Sequence, residues 1–322
     1  MKKTAYILIV LIIILVGGYS YIQLAFPKVG PAPEMLIEIT PERIERGEYL
    51  AYNVMLCMDC HAVRDWSVYG GPPTPGTEGA GGDRFDQSMG FPGEFYSRNI
   101  TPAGIGDWTD GEIYRLLTTG VKKDGDPIFP VMPYLNYGKM DPEDIKSVIA
   151  FLRTMEPIQA SHPESKPDFP FNLILRTLPQ EATPMPIPPK EDQIAYGEYL
   201  LNAAACADCH TNFEKGKYVG DFLAGGRVFQ SPDGSILRSS NLTPHETGLK
   251  NWTSKMFVER FKIFVDSTYI PQAVKPGEFQ TIMPWAMYAG MKTEDLEAIF
   301  AYIQTIEPSD NFVEKYIPAS GK

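Results

Sequence analysis

Cys57-Met58-Asp59-Cys60-His61 and Cys206-Ala207-Asp208-Cys209-His210 are two copies of Cys-x-x-Cys-His, and together they use every cysteine in the chain. The spacing is that of a covalently held haem: thiols three positions apart reach the two vinyl groups of one porphyrin, and the adjoining imidazole is held over the iron. A thioredoxin-type redox pair needs no following histidine, and a zinc site needs its ligands at other spacings. The motifs predict two covalently bound haem c groups, attached through Cys57, Cys60, Cys206 and Cys209, with His61 and His210 as iron ligands. Porphyrins then replace side chains as core filler, which suits a chain with 29 prolines and 28 glycines and hence much irregular loop.

The chain is an internal duplication. Arg46-Gly47-Glu48-Tyr49-Leu50 returns as Tyr196-Gly197-Glu198-Tyr199-Leu200, and Asn99-Ile100-Thr101-Pro102 as Asn241-Leu242-Thr243-Pro244. Trp108-Thr109 matches Trp252-Thr253, and Met132-Pro133-Tyr134 matches Met283-Pro284-Trp285. A period of about 150 residues is too long for a solenoid and right for two small domains. The expected division is a membrane or signal segment over 1–27, a first domain over 41–156, a Pro-rich linker over 157–190, a second domain over 191–308 and a tail over 309–322. The linker reads as extended, with the apolar patch Phe169–Leu175 packing against a domain.

Lys2 and Lys3 precede an uncharged stretch, Thr4 to Pro27, which is long enough to cross a hydrocarbon core of ~30 Å. Tyr19 and Tyr21 fall near the outer interface, so one reading is an uncleaved anchor. A loose small-x-small site at Gly18-Tyr19-Ser20 supports the other, a cleaved signal peptide. Both export the rest of the chain, as haem attachment requires. The expected location is the bacterial cytoplasmic (inner) membrane, with the haem domains on the outer, periplasmic side. A net charge of −11 repels a phosphate backbone, and no nucleic-acid partner is expected.

Each half shows the same helical signals. Pro41 to Val54 and Asp192 to Ala205 carry apolar residues at helical spacing and lead into the haem motifs. Thr109-Asp110-Gly111-Glu112 is a capping box, and Asp141-Pro142-Glu143 puts a cap before a proline in the first turn of a helix through Met155. Counterparts run from Thr253 to Val265 and from Thr293 to Ile306. Little alternates like a sheet. A helix into the haem motif, a long wrapping loop, a Met-Pro segment and a closing helix is the order of a small cytochrome c domain. The predicted fold class is all-α, two tandem mono-haem cytochrome c domains after an N-terminal transmembrane helix.

The sixth iron ligand decides the chemistry. Met132 and Met283 are the expected ligands: both precede proline, both fall before the last helix of their half, and they lie 72 and 74 residues after Cys60 and Cys209. A thioether raises the potential and closes the iron to exogenous ligands, giving electron transfer. Met140 and Met291, which also recur, are rival ligands whose position before the last helix suits packing better. The second nitrogen of His61 and of His210 is expected to donate to a backbone carbonyl. His162 and His245 are not duplicated and read as surface histidines; Trp108, Trp252, Tyr49 and Tyr199 read as haem-packing aromatics. Asn99 and Asn241 suit either a turn or a hydrogen bond near a haem edge.

Ala80-Gly81-Gly82, Asn99-Ile100-Thr101-Pro102, Gly104-Ile105-Gly106-Asp107-Trp108-Thr109-Asp110 and Met132-Pro133-Tyr134 resemble the cytochrome c subunits of bacterial membrane-bound alcohol, gluconate and related sugar dehydrogenases. The second half repeats the pattern as Ala224-Gly225-Gly226, Asn241-Leu242-Thr243-Pro244, Thr247-Gly248-Leu249, Trp252-Thr253 and Met283-Pro284-Trp285. The resemblance covers roughly residues 41 to 308. It implies a mono-haem cytochrome c fold in each half, His/Met ligation, and electron flow from a partner dehydrogenase toward quinone or a terminal oxidase. Members of that group with three haem domains and a C-terminal membrane segment differ from this chain.

The leading functional expectation is a membrane-tethered dihaem carrier of single electrons between a dehydrogenase or quinol-oxidising donor and a downstream acceptor. It is not itself an enzyme, and catalysis sits on another chain. The alternatives are a dihaem enzyme, a peroxidase or thiosulfate-oxidising cytochrome with one open haem site, and a docking subunit of an oxidase complex.

Overall fold

The structure, a computed structural model, describes residues 2–214, 216–275 and 277–319. It opens with the apolar helix Lys2–Ala25, of which Lys3–Ala25 is long and apolar enough to cross a membrane. At 1.5 Å per residue it reaches about 36 Å. Its last turns are half-buried against the globular part, where Arg176 Nη2 donates to the Phe26 carbonyl (2.9 Å) and the Gly30 amide donates to Glu181 Oε1 (2.6 Å).

In each half two helices cross to build the scaffold. Pro41–Tyr49 packs on Pro142–Thr154, and Gln193–Ala203 packs on Thr293–Ile303. The repeated Gly-Glu-Tyr-Leu explains how closely. A Cβ on Gly47 would sit 1.9 Å from the Ser147 carbonyl oxygen, and one on Gly197 would sit 1.9 Å from that of Ala298. The helix axes can approach only because these residues have no side chain. The leading helix of the first half is capped by Thr40 and runs into a π-helical turn, Leu50–Val54. The Thr109 capping box is formed in full, with Glu112 N to Thr109 Oγ1 at 3.2 Å and Thr109 N to Glu112 Oε2 at 2.8 Å, and it opens Asp110–Thr119. Asp141 caps the closing helix of the first half through Glu143 N (2.7 Å).

The fold is not all-α. Three small antiparallel sheets lie among the described residues: β1 (Arg84–Phe85), β2 (Gly93–Tyr96) and β3 (Lys166–Pro167); β4 (Phe213–Glu214) and β5 (Lys217–Tyr218); and β6 (Val228–Gln230), β7 (Ile236–Arg238) and β8 (Tyr316–Ile317). The first and third sheets correspond. In each, a hairpin after the Gly-Gly pair takes a third strand from the segment beyond the closing helix, with Gly93 opposite Pro167 and Ile236 opposite Ile317. Strands of two to four residues show no period-2 signal, and the third strand comes from far along the chain. Both facts hide the sheets from a periodicity reading.

One buried apolar cluster runs through both halves, from Leu50, Val54 and Ile149 to Leu200, Leu296 and Ile303. Tyr49 and Tyr199 do not pack as haem aromatics; they reach across the seam. Tyr49 donates from its hydroxyl to Asp295 Oδ2 (2.5 Å) and accepts from Lys292 N (3.1 Å). Tyr199 does the same in reverse, donating to Asp144 Oδ2 (2.6 Å) and accepting from Asp141 N (3.2 Å). The exchange gives the halves a pseudo-two-fold relation. Burial, and then the facing carboxylates, hold both phenols well above their usual pKa, so they remain donors.

The two links are not equal in their backing. Asp144 also accepts a two-pronged ion pair from Arg46, 2.8 Å at each oxygen, whereas Asp295 is fully buried with its Oδ1 unpartnered among the described residues. Tyr49→Phe strips the buried Asp295 of its side-chain donor and is expected to cost about 1–3 kcal/mol. Tyr199→Phe leaves Asp144 its guanidinium and is expected to cost less. Denaturant melts of the two variants check the order, and equal losses would contradict it.

Candidate haem sites

Each haem motif begins from a strained residue. Leu56 (φ 56°) and Ala205 (φ 51°) take the left-handed conformation just before the first cysteine. An L-residue pays roughly 1–2 kcal/mol for that geometry, and such strain gathers at functional sites. The reversal turns Cys57–Cys60 and Cys206–His210, each a single helical turn, away from the preceding helix.

His61 Nδ1 lies 2.6 Å from the Arg98 carbonyl oxygen and His210 Nδ1 lies 2.8 Å from that of Ser240. A carbonyl only accepts, so Nδ1 carries the proton in both rings and Nε2 is left with its lone pair. Burial lowers the pKa of both imidazoles, which keeps them neutral and able to ligate. This is the orientation a metal-binding histidine needs.

Residues outside the motifs build this arrangement. Gly81 N donates to the His61 carbonyl (3.0 Å) and Gly225 N to that of His210 (2.7 Å). Both glycines have positive φ, and a Cβ would lie 2.6 Å from the Arg98 carbonyl carbon or 2.5 Å from that of Ser240. The Ala-Gly-Gly repeat is therefore the place where the loop presses against the carbonyl that orients each histidine. Sequence reading marked that repeat as a likeness only, although two Gly-Gly pairs in register were a signal of close backbone approach. The carbonyl is in turn fixed by an Asx turn. Asn99 Oδ1 accepts from Thr101 N (3.0 Å) and Asn241 Oδ1 from Thr243 N (2.9 Å), while their amides donate to Ile158 O (2.7 Å) and Ser309 O (2.8 Å). Both asparagines act in turns.

The methionine segments are built alike. Pro133 (φ −79°, ψ 54°) and Pro284 (φ −81°, ψ 64°) form inverse γ-turns, each closed by the following aromatic residue's N–H on the methionine carbonyl at 2.8 Å. Proline presets the φ of the central position. Tyr137 and Tyr288 then donate to the Met55 (2.7 Å) and Ala204 (2.6 Å) carbonyls, tying each methionine segment to the backbone two residues ahead of a haem motif.

All four cysteines, both histidines, Met132 and Met283 line a single cavity of about 3390 Å³ that also borders Trp108 and Trp252. That volume is several times the 300–1,000 Å³ of a pocket for one small ligand. The donor set fits haem c: paired thiols, an imidazole with a bare nitrogen, and a thioether on the wall. Met140 and Met291 are both 1% exposed in the core; Met140 lies off the cavity and Met291 touches it. Met140→Leu and Met291→Leu exchange similar volumes and are expected to cost under ~1.5 kcal/mol. Calorimetry checks the cost, and the absorption spectrum is expected to stay unchanged.

The thiols do not suit the alternative redox chemistry. Burial pushes Cys57 and Cys206 up to about 12. A thioredoxin-type pair lowers its attacking thiol instead. The aspartate inside each motif is held differently in the two halves. Asp59 is paired with Arg64 (3.2 Å), whereas Asp208 accepts from Asn136 of the other half (3.1 Å) and from Tyr218 (2.7 Å). His162 is not a plain surface residue: it borders the cavity, half-buried, and donates from Nε2 to Ala80 O (2.7 Å), pinning the linker to the glycine loop. His245 stays with Thr247 in its own turn (3.0 Å).

Comparison with known proteins agrees with this chemistry. Residues 194–307 match the cytochrome c family. The chain is 27% identical to the cytochrome c subunit of a quinone alcohol dehydrogenase from Gluconacetobacter polyoxogenes, over 82% of this chain and 56% of that one. It is 31% identical to the fructose dehydrogenase cytochrome subunit of Gluconobacter japonicus, over 68% of this chain and 44% of the other. It thus spans about half the length of these relatives. A dihaem c-type cytochrome of Cereibacter sphaeroides matches end to end, at 27% identity over 92% of this chain and 96% of that protein. A haem c motif thus sits inside the segment that matches the cytochrome c family, and the chain is similar over most of its length to the cytochrome c subunits of bacterial alcohol and fructose dehydrogenases and, over about half of it, to that of a gluconate dehydrogenase.

Proposed function

We propose that the chain holds two haem c groups and passes single electrons between a dehydrogenase or quinol-oxidising donor and a downstream acceptor. The observation that carries the proposal is the shared cavity, on which both Cys-x-x-Cys-His motifs and both Met-Pro segments open. When bound, each haem supplies a one-electron iron couple. Cys57, Cys60, Cys206 and Cys209 would tether the groups, and His61, His210, Met132 and Met283 would supply the protein donors to the iron. Tyr49–Asp295 and Tyr199–Asp144 keep the halves in one arrangement, so the path between the two sites does not depend on a domain motion. Residues 41–156 and 191–308 act as the two carrier domains, and catalysis resides on a partner.

The helix Lys3–Ala25 serves as the tether, placing the carrier domains on the periplasmic face of the inner membrane. Most of the named relatives are subunits of dehydrogenases, which makes such an enzyme the favoured donor. Solubilised membranes are expected to yield the protein together with a dehydrogenase subunit identifiable by mass. That enzyme's substrate is expected to reduce both haems in the co-purified complex. Rapid carbon monoxide binding by the reduced native protein, or rapid oxidation of its reduced haems by hydrogen peroxide with turnover of the peroxide, would remove the carrier reading.

A further inference from the structure

The halves differ in one respect that the duplication does not explain. After its haem motif the first half sends a loop, 65–71, onto the segment that leads to Met283 of the second. The Tyr69 amide donates to Gln272 O (2.8 Å) and the Val274 amide to Ser67 O (2.7 Å), a short bridge between the halves. Gln280 then makes three hydrogen bonds to this loop. Its Oε1 accepts from Gly70 N (2.8 Å), and its Nε2 donates to Trp66 O (3.1 Å) and Val68 O (2.9 Å). The same Oε1 accepts from Thr281 N (2.9 Å), and Thr281 Oγ1 accepts from Met283 N (3.1 Å).

The stacking follows the same line. The Tyr69 ring lies over Phe264 (6.3 Å, 12°), and Phe264 stacks on Trp285 (5.4 Å, 14°), the residue whose N–H closes the Met283 turn. In the first half, among the described residues, no hydrogen bond from the second half reaches 127–132; Phe129 there packs on Phe91, Phe95 and Phe171. The second half reaches the Met132 segment only beyond the methionine, at Asn136 (3.1 Å to Asp208 and 2.9 Å from Asn202), whereas the first half grips the residues that lead into Met283.

We infer that Gln280 is a positioning residue for the second haem, and that the loop 66–70 of the first half acts through it to hold Met283 on the iron. This rests on the reading of Met283 as the axial ligand. A thioether is a weak ligand on a flexible side chain, so its bond depends on how firmly the backbone at Met283 is placed. Neutral amide hydrogen bonds from a separate domain place it without adding charge beside the iron. Two haems built from one repeat thereby acquire different ligand stability, and that of the second is conditional on docking of the halves.

The test uses the full chain with both haems in detergent, with the two redox waves assigned from Met132→His and Met283→His. Gln280→Leu is expected to cut the red-end sulfur-to-iron band to about half, lower the second wave, leave the first in place, and let about half the reduced haem bind carbon monoxide. Gln280→Glu keeps the acceptor for Gly70 and Thr281 but not the donors to Trp66 and Val68, and is expected to fall between. If Gln280→Leu leaves band and waves unchanged while Met283→His halves the band, the inference is overturned and the ligand assignment stands. If Met283→His leaves the band whole, the ligand reading itself has failed. Equal movement of both waves also overturns it, as a general loosening. Should Gln280→Leu not retain both haems, Tyr69→Ala decides the matter by the same spectrum: loss at the second haem supports the inference, and no change ends it.

Discussion

Cys206→Ala with Cys209→Ala is expected to reduce the covalent haem from two per chain to one and to unfold the second half. Both thiols and His210 line a cavity of about 3390 Å³ whose walls include Leu242, Leu249, Phe257, Leu296 and Ile303. Those apolar side chains would lose the porphyrin as a packing partner on the cavity side. Loss of the porphyrin's packing along that wall is expected to take a large share of the ~5–15 kcal/mol stability of an ordinary domain. The first half is expected to keep its haem, because Cys57, Cys60, His61 and the Arg98 carbonyl are all its own. A haemochrome assay with intact mass measures the count, and limited proteolysis reads the unfolding. Two haems retained in the double variant would refute attachment through these thiols.

The ligand substitutions have the next largest effect. Met132→His and Met283→His should each lower the potential of one haem and remove about half of the sulfur-to-iron band, while the haem stays covalently attached. The argument is geometric. Each methionine is carried by a proline-centred turn whose aromatic neighbour is held in the core: Tyr134 is fully buried, and Trp285 lies between Phe261 and Phe264. A histidine at the same position starts from the same backbone and finds the same cavity wall. Spectroelectrochemistry resolves the two waves. A pair of variants with both waves unmoved would shift the assignment away from Met132 and Met283.

What could be read from the chain alone followed from interactions that are local in sequence. Thiols three apart can reach one porphyrin whatever the rest of the chain does, so the cysteines and histidines stood out at once. Thr109 with Glu112, and Asp141 with Pro142, announced helix starts because a cap and its partner lie within one turn. The Met-Pro-aromatic repeat was legible for a similar reason, since a γ-turn needs only three residues. The all-α expectation failed where pairing is distant: β2 binds β3 across the closing helix of its half, and β7 binds β8 in the same way.

Tertiary structure decided how the two copies are joined. Tyr49 and Asp295 are 246 residues apart, and no periodicity connects them; in sequence, Tyr49 is one more aromatic on an amphipathic helix. Gln280 gives still less warning, because an amide in a loop acquires its meaning only from the carbonyls and amides that another segment presents to it. Covalent spacing and helix capping act over a few bonds and so are written in the order of residues. The orientation of His61 and His210, the shared cavity and the hold on Met283 depend on buried groups finding partners across the fold. A buried polar group left unpaired costs about 1–3 kcal/mol, which makes those pairings decisive once the chain is folded and invisible before.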